Sequence, residues 1–251
     1  MADSGPGSLR QVVVNAPVGS TISFGVSGMI TLTSGPIGLD KDLIINGSNP
    51  YQVTISGNNA GRMFKISGAG TDIAIYGIRV INGFAGGGDG VPIYVNPGTT
   101  LNLQYSVLEN NTAGTSTCCG KGGAIFVDNA NVIIFNSSLR NNTAGTDSSN
   151  NYGGAITLYN GGSVAVTQSC LTGNTDPIWQ RDPELHGERY QRHQQLVGRR
   201  GWAGLKWGQH HKRLGDHNTL LGHACFERGG LLKQGFIQGR FLNRPCSPNL
   251  T

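Results

Sequence analysis

Asp40-Lys41-Asp42 is the one place in residues 1–175 where two carboxylates stand two apart. Alternation along a strand would put both on one side. Carboxylates clustered in that way, with Lys, Arg or calcium, are what polysaccharide lyases and hydrolases need. The competing reading is a solvated turn ahead of Leu43-Ile44-Ile45. Basic residues nearby are few, namely Arg62, Lys65, Arg79, Lys121 and Arg140, and no histidine precedes His186. Imidazole acid–base chemistry is therefore excluded from this part. Cys118-Cys119 are adjacent, a spacing that disfavours bridging each other, and Cys170 reads as a small core or corner residue. Five cysteines form no even framework. His210, His211, His217, His223 and Cys225 fit no zinc spacing. Gly86-Gly87-Gly88-Asp89-Gly90 is followed by no helical pattern that would make it a phosphate cradle. Asn-x-Ser/Thr at Asn46, Asn110, Asn136 and Asn141 is what chance produces in so Asn-rich a chain. The sequence thus calls for no metal and no cofactor.

The elements that would position these residues are set by a break in composition after Thr175. Residues 1–175 hold 29 of the 40 Gly, 19 of the 22 Asn and 30 of the 33 Val plus Ile. They carry 7 basic against 8 acidic residues, a net charge of −1. Residues 176–251 carry 12 basic against 6 acidic residues, all six His and all three Trp. The overall charge of +5 therefore belongs to the last third and gives no reason to expect a nucleic acid on the first. Glycine without a three-residue period excludes collagen, and the β-branched content excludes a disordered chain. No apolar run is long enough for a membrane-spanning helix.

The first part repeats. Val107-Leu108-Glu109-Asn110-Asn111-Thr112-Ala113 aligns with Ser138-Leu139-Arg140-Asn141-Asn142-Thr143-Ala144 and with Cys170-Leu171-Thr172-Gly173-Asn174-Thr175. Gly122-Gly123-Ala124-Ile125 aligns with Gly153-Gly154-Ala155-Ile156. Short Val- and Ile-rich runs bounded by Gly, Asn or Ser stand between these motifs, as at Leu101–Leu103, Val132–Phe135 and Val164–Val166. Poorer copies lie upstream at Ile22–Phe24, Ile30–Leu32, Leu43–Gly47, Val53–Asn58, Met63–Ile66 and Ile73–Gly83. Such runs are strands and not helices. Spacings of 28–32 residues suit one coil of a parallel β-solenoid, in which equivalent Val and Ile stack inward. Gly and Asn then fall at corners, where an Asn side chain can bond to the Asn above it. The rival is a β-sandwich, which lacks a fixed spacing. The fold class expected is all-β: a parallel β-helix of about six coils, then a non-repetitive, poorly ordered tail. The expected division is a capping segment at 1–20, coils at 21–175 and the tail at 176–251.

The ordered pair of Gly-Gly-Ala-Ile and an apolar-x-x-Asn element resembles the polymorphic outer membrane protein repeat. The matching residues are Gly122, Gly123, Ala124 and Ile125 with Leu139 and Asn142, then Gly153, Gly154, Ala155 and Ile156 with Leu171 and Asn174. Leu stands where that family usually has Phe. The opening Asp3-Ser4-Gly5-Pro6-Gly7-Ser8-Leu9-Arg10-Gln11 resembles the start of secreted bacterial proteins with right-handed parallel β-helix repeats. There a Ser-Leu-Arg segment begins a capping helix. Ser8 suits an N-cap, while Val12-Val13-Val14 would keep the helix brief. The resemblance covers residues 3–175. It implies a right-handed helix and a bacterial adhesin or autotransporter passenger, extracellular or at the outer membrane. It also implies an upstream signal sequence and a downstream anchor that this stretch does not show. The partner implied is a surface ligand, protein or glycan. The alternative is a carbohydrate-active β-helix enzyme using Asp40 and Asp42.

The tail has three readings. Its Arg residues interleave with Trp179, Tyr190, Trp202 and Trp207, as on a nucleic-acid surface. It could equally be a disordered extension. The third is a shifted reading frame, and the letters allow it. Read one base later, codons for Trp207 to Asn218 permit a glycine pair, a β-branched run, an Asn or Ser corner and another β-branched run. That is the order of Gly122 to Phe135, with the shift near Asn174-Thr175-Asp176.

Overall fold

The computed structural model describes residues 1–85, 92–114, 121–144 and 153–174, together with the backbone of four short strands between 218 and 238. The chain opens with a helix, α1 (Leu9–Asn15), whose N-cap Ser8 accepts a hydrogen bond from the Gln11 amide through Oγ. The β-branched run ends it after seven residues. Leu9 and Val13 enter the core, and α1 packs against the first coil. Asp3 fixes this cap. It accepts from the Thr33 and Ser34 amides at 2.9 and 2.8 Å and from Arg10 at 2.9 Å. Burial alone would push its carboxyl up, but the bonds from Thr33, Arg10 and Ser34 outweigh that and hold it far below the usual range.

Three strands make each coil. The first coil has β1 (Ser20–Ser23), β2 (Gly28–Thr31) and β3 (Ile37–Leu39). The second has β4 (Leu43–Asn46), β5 (Val53–Ser56) and β6 (Phe64–Ile66). The third has β7 (Asp72–Tyr76), β8 (Arg79–Ile81), the two-residue β9 (Phe84–Ala85) and β10 (Ile93–Val95). Then follow β11 (Thr100–Gln104), β12 (Val107–Glu109), β13 (Thr112–Ala113), β14 (Ile125–Phe135), β15 (Ser138–Arg140), β16 (Ile156–Thr167) and β17 (Ser169–Thr172). The first face stacks β1-β4-β7-β11 and the second halves of β14 and β16, all parallel. The second face stacks β2-β5-β8-β12-β15-β17. The third stacks β3-β6-β10 and the first halves of β14 and β16.

Register follows the sequence repeat. Leu108 pairs with Leu139 and Leu139 with Leu171, while Ile93 pairs with Ile125 and Ile125 with Ile156. These side chains are fully buried in one continuous core that runs from Leu9 to Leu171. The fold is a parallel β-solenoid. From β3 to the first half of β16 it makes about four turns through five stacked strands, slightly fewer than the six coils expected. Dividing 175 residues by one coil length overcounts, because the first nineteen residues form the cap and its link, and the final coil has no third-face strand of its own. Two further differences concern strands. Ile125–Val127 and Val132–Phe135 belong to one strand, β14, with a register shift between Asp128 and Ala130, and Gly122 to Ala124 form the corner before it. Ile37–Leu39 and Ile93–Val95 are strands that their short length hid among turn residues.

In the tail, β18 (Asn218–Leu220), β19 (Ala224–Phe226), β20 (Gly230–Lys233) and β21 (Phe236–Gln238) are described as backbone only. β18 and β20 pair with β16, and β19 with β17, all antiparallel. The parallel ladder of the repeats stops at β17. Cys118, Cys119, the glycine run 86–90 and the tail histidines lie outside the residues whose side chains are described.

Candidate functional site

The repeat-motif residues build the scaffold and do not face a ligand. Gly122, Gly123, Ala124, Ile125, Leu139, Asn142, Gly153, Gly154, Ala155, Ile156, Leu171 and Asn174 are all buried. Gly122 and Gly153 turn the corner into the third face with φ of 71° and 69°, and a Cβ on either would sit 2.2–2.3 Å from a backbone oxygen.

The Asn pairs divide two tasks between neighbours. Asn82, Asn110, Asn141 and Gly173 take the left-handed corner at φ of 53°, 54°, 55° and 62°. The residue after each corner points inward. Asn111 Nδ2 donates to Asn142 Oδ1 at 2.9 Å, and Asn142 Nδ2 donates to Asn174 Oδ1 at 2.9 Å. The same three amides donate to the carbonyls of Val80, Leu108 and Leu139. Gly83 ends the column by donating its backbone N–H to Asn111 Oδ1. The Asn-on-Asn bonding expected from the spacing is present, and it lies wholly inside.

A second column was not anticipated. Ser106, Ser137 and Ser169 are buried at the preceding corner. The Ser106 amide donates to Ser137 Oγ at 3.1 Å, and the Ser137 amide to Ser169 Oγ at 3.0 Å. Each hydroxyl donates to the carbonyl two residues back, at 2.8 Å. Their spacing of 31 and 32 residues equals that of the leucines, so the signal was present. Serine in a turn merely reads as solvated. Ser137→Ala strands the buried Ser106 amide and should cost about 1–2 kcal/mol. Urea denaturation checks this, with a lowered midpoint and an unchanged slope expected.

Carboxylates elsewhere hold coils together. Asp42 accepts from the Asp72 amide of the next coil at 2.8 Å. Asp40 is exposed in the turn between β3 and β4, where Lys41 Nζ donates to the Val14 carbonyl. Asp40 and Asp42 therefore sit in a corner and not on a strand, so alternation does not bring them to one face. Asp128 accepts from Asn160 at 2.9 Å. Among the described residues, no three His, Cys, Asp or Glu side chains converge as a metal would require. Cys170 is buried, and burial pushes its thiol up to about 11.

Glu109 on β12 lies between Arg79 of the coil before and Arg140 of the coil after, and both donate to its carboxylate. Burial alone would raise its pKa, but the bonds from Arg140 and Arg79 outweigh burial and hold it below 4.5. A depressed carboxylate contributes stability above its unfolded pKa and loses it as pH falls through the folded value. Glu109→Gln is therefore expected to lower Tm at pH 7, and the gap to the parent should close below about pH 4. Thermal scans across that range test it, and a gap that persists in acid would refute the assignment.

The three outer faces differ in chemistry. The second carries the Arg79–Glu109–Arg140 set. On the third, Phe126 is buried between Tyr94 and Tyr159, whose rings lie 5.0 and 5.7 Å from it. Arg62 and Lys121 cover those tyrosines at 4.6 and 4.8 Å. The first face is open through five coils. Ile44, Ala74, Asn102, Ile133 and Ala165 form one outward row in register. Asn46, Tyr76, Gln104, Phe135 and Thr167 form the next. All ten are half-buried or exposed, and none is charged.

No family model matches the sequence, and no curated protein and no solved structure matches it either.

Proposed function

We propose that the chain is a non-catalytic binding scaffold of a bacterial cell surface, adhesin-like, displaying the outer faces of its β-solenoid to a partner. One observation carries this reading. Of the six carboxylates on the described coils and cap, Asp3, Asp42, Glu109 and Asp128 each hold one segment or coil to another, and the other two, Asp40 and Asp72, are exposed. The placement outside the cell and the kinship with polymorphic outer membrane protein repeats rest on the motif resemblance. They are supported by the position of both motifs at corners and in the core. The near-neutral coils give nucleic acid no reason to bind. The test is paired. The chain immobilised on beads should bind surfaces or extracts saturably, while reducing-end and unsaturated-product assays on a polysaccharide panel should show no turnover. Turnover lost in Asp40→Asn/Asp42→Asn would replace this reading with the enzyme.

A further inference from the structure

We infer that the outer side of the first face, across β7, β11 and the second halves of β14 and β16, is a binding site for an uncharged polysaccharide chain. The inference rests on the scaffold reading and names its ligand class.

Charge is the first argument. An exposed sheet surface ordinarily carries Lys, Glu or Arg in its outward rows. Here two of the three outward rows carry none, and the third carries a single charge, Asp72, at its first strand. The other two faces do carry charges, so their absence here is local. An acidic polymer would need cations that the face lacks, and a basic one would need more than one carboxylate.

Hydrogen-bonding capacity is the second. A sugar hydroxyl both donates and accepts, and a side-chain amide matches it in both directions. Asn102 lies mid-face, half-buried, and its amide makes no hydrogen bond among the described residues. Asn131 receives the Ser163 hydroxyl at 2.8 Å on Oδ1, which leaves its amide donors for a ligand. Gln104 reaches the Tyr76 hydroxyl only at 3.4 Å. Beside these stand aromatic surfaces suited to the apolar side of a pyranose: Tyr76, and Phe135 with the exposed Tyr105 edge-on at 5.6 Å. A mostly apolar surface with a few placed polar groups is the general pattern of small-ligand sites.

Size is the third, and it decides against a second copy of the chain. Four strands about 4.8 Å apart, each about 16 Å long, give a platform of about 300 Å². A stable protein interface takes about 800 Å² from each partner. The platform is too small for that and long enough for a few sugar rings.

The experiment uses the full chain at about 0.3 M salt, so that the basic tail is screened. Titration calorimetry is run with mixed-linkage β-glucan, galactomannan and dextran as uncharged probes, and with polygalacturonate and alginate as anionic ones. At least one uncharged polymer should bind and the anionic ones should not. Tyr76→Ala/Phe135→Ala and, separately, Asn102→Ala/Asn131→Ala should each weaken binding at least tenfold, while Lys65→Ala on the third face changes nothing. Circular dichroism of both variants should match the parent. Binding to no uncharged polymer overturns the inference, and so does an equal loss in Lys65→Ala. Sedimentation that shows a dimer broken by Tyr76→Ala/Phe135→Ala overturns it in favour of a second copy. Bead binding that survives in these variants ends this inference and leaves the scaffold reading intact. Turnover of a bound glucan ends the scaffold reading and leaves the site.

Discussion

Asn142→Ala is expected to lower the stability of the solenoid by about 3–5 kcal/mol, the larger of the effects attached to a polar residue. Asn142 is fully buried, and its side chain joins three coils. Oδ1 accepts from both the backbone amide and Nδ2 of Asn111, at 3.2 and 2.9 Å. Nδ2 donates to the Leu108 carbonyl and to Asn174 Oδ1, at 3.0 and 2.9 Å. Alanine removes all four bonds and leaves the partners where water does not reach. Each stranded group costs about 1–3 kcal/mol, and relaxation recovers part of the sum. Asn142→Asp keeps the acceptor but loses both donations and places a carboxylate against the Leu108 carbonyl, so it is no rescue. Asn141→Gly, one residue earlier, is the contrast. Asn141 holds φ at 55°, which glycine tolerates better. It should change stability by less than about 1 kcal/mol. Urea midpoints for the three variants test the ladder, and an Asn142→Ala no worse than Asn141→Gly would dismiss it.

That adjacent asparagines play such different parts shows where sequence reasoning reaches and where it stops. Spacing is a property of the chain, so Leu108, Leu139 and Leu171 announce their own register in the sequence. The corners were readable for the same reason, because Gly and Asn are the residues that bear positive φ. Inside and outside were harder. Asn110 and Asn111 look alike in a sequence, yet one faces solvent and the other is sealed. Burial is decided by how the chain closes into a coil, and a pattern of polar letters does not record closure. The serine column is hidden in the sequence for that reason. For Asp40 and Asp42 alternation held only if they were in a strand; they lie in the turn before one, as the competing reading has it. The first-face platform could not be read at all, since its rows join residues about thirty apart and their shared lack of charge appears only once the register is known.

Gly123→Ala should be at least as damaging as the asparagine change, at about 3 kcal/mol or more, for a reason of pure geometry. Gly123 has no left-handed φ, so alanine meets no backbone strain of its own. What it meets is the following coil. A Cβ here would lie 2.2 Å from the Gly154 carbonyl oxygen and 2.6 Å from the Thr143 amide nitrogen. Both are backbone atoms, and neither can swing aside as a side-chain end could. Coils in a parallel ladder sit about 4.8 Å apart, so relief requires prising two coils apart. The bonds from Gly123 N to Gly153 O at 3.0 Å and from Thr143 N to Asn111 O at 2.8 Å lie on either side of the clash. Gly98→Ala is the matched control. Its φ of 75° gives alanine left-handed strain of about 1–2 kcal/mol, but its nearest neighbour is the Ala69 Cβ at 3.5 Å, an ordinary contact. Both substitutions stiffen the unfolded chain equally, by about 0.4–1 kcal/mol, so the difference between them is the close approach less the left-handed strain at Gly98, a lower bound on the contact. If thermal and urea unfolding place Gly123→Ala within error of Gly98→Ala, the tight coil contact is not what selects the second glycine of the Gly-Gly-Ala-Ile repeat. A gap of 2 kcal/mol or more, with an unchanged urea slope, makes that contact the reason the repeat carries two glycines where one corner needs one.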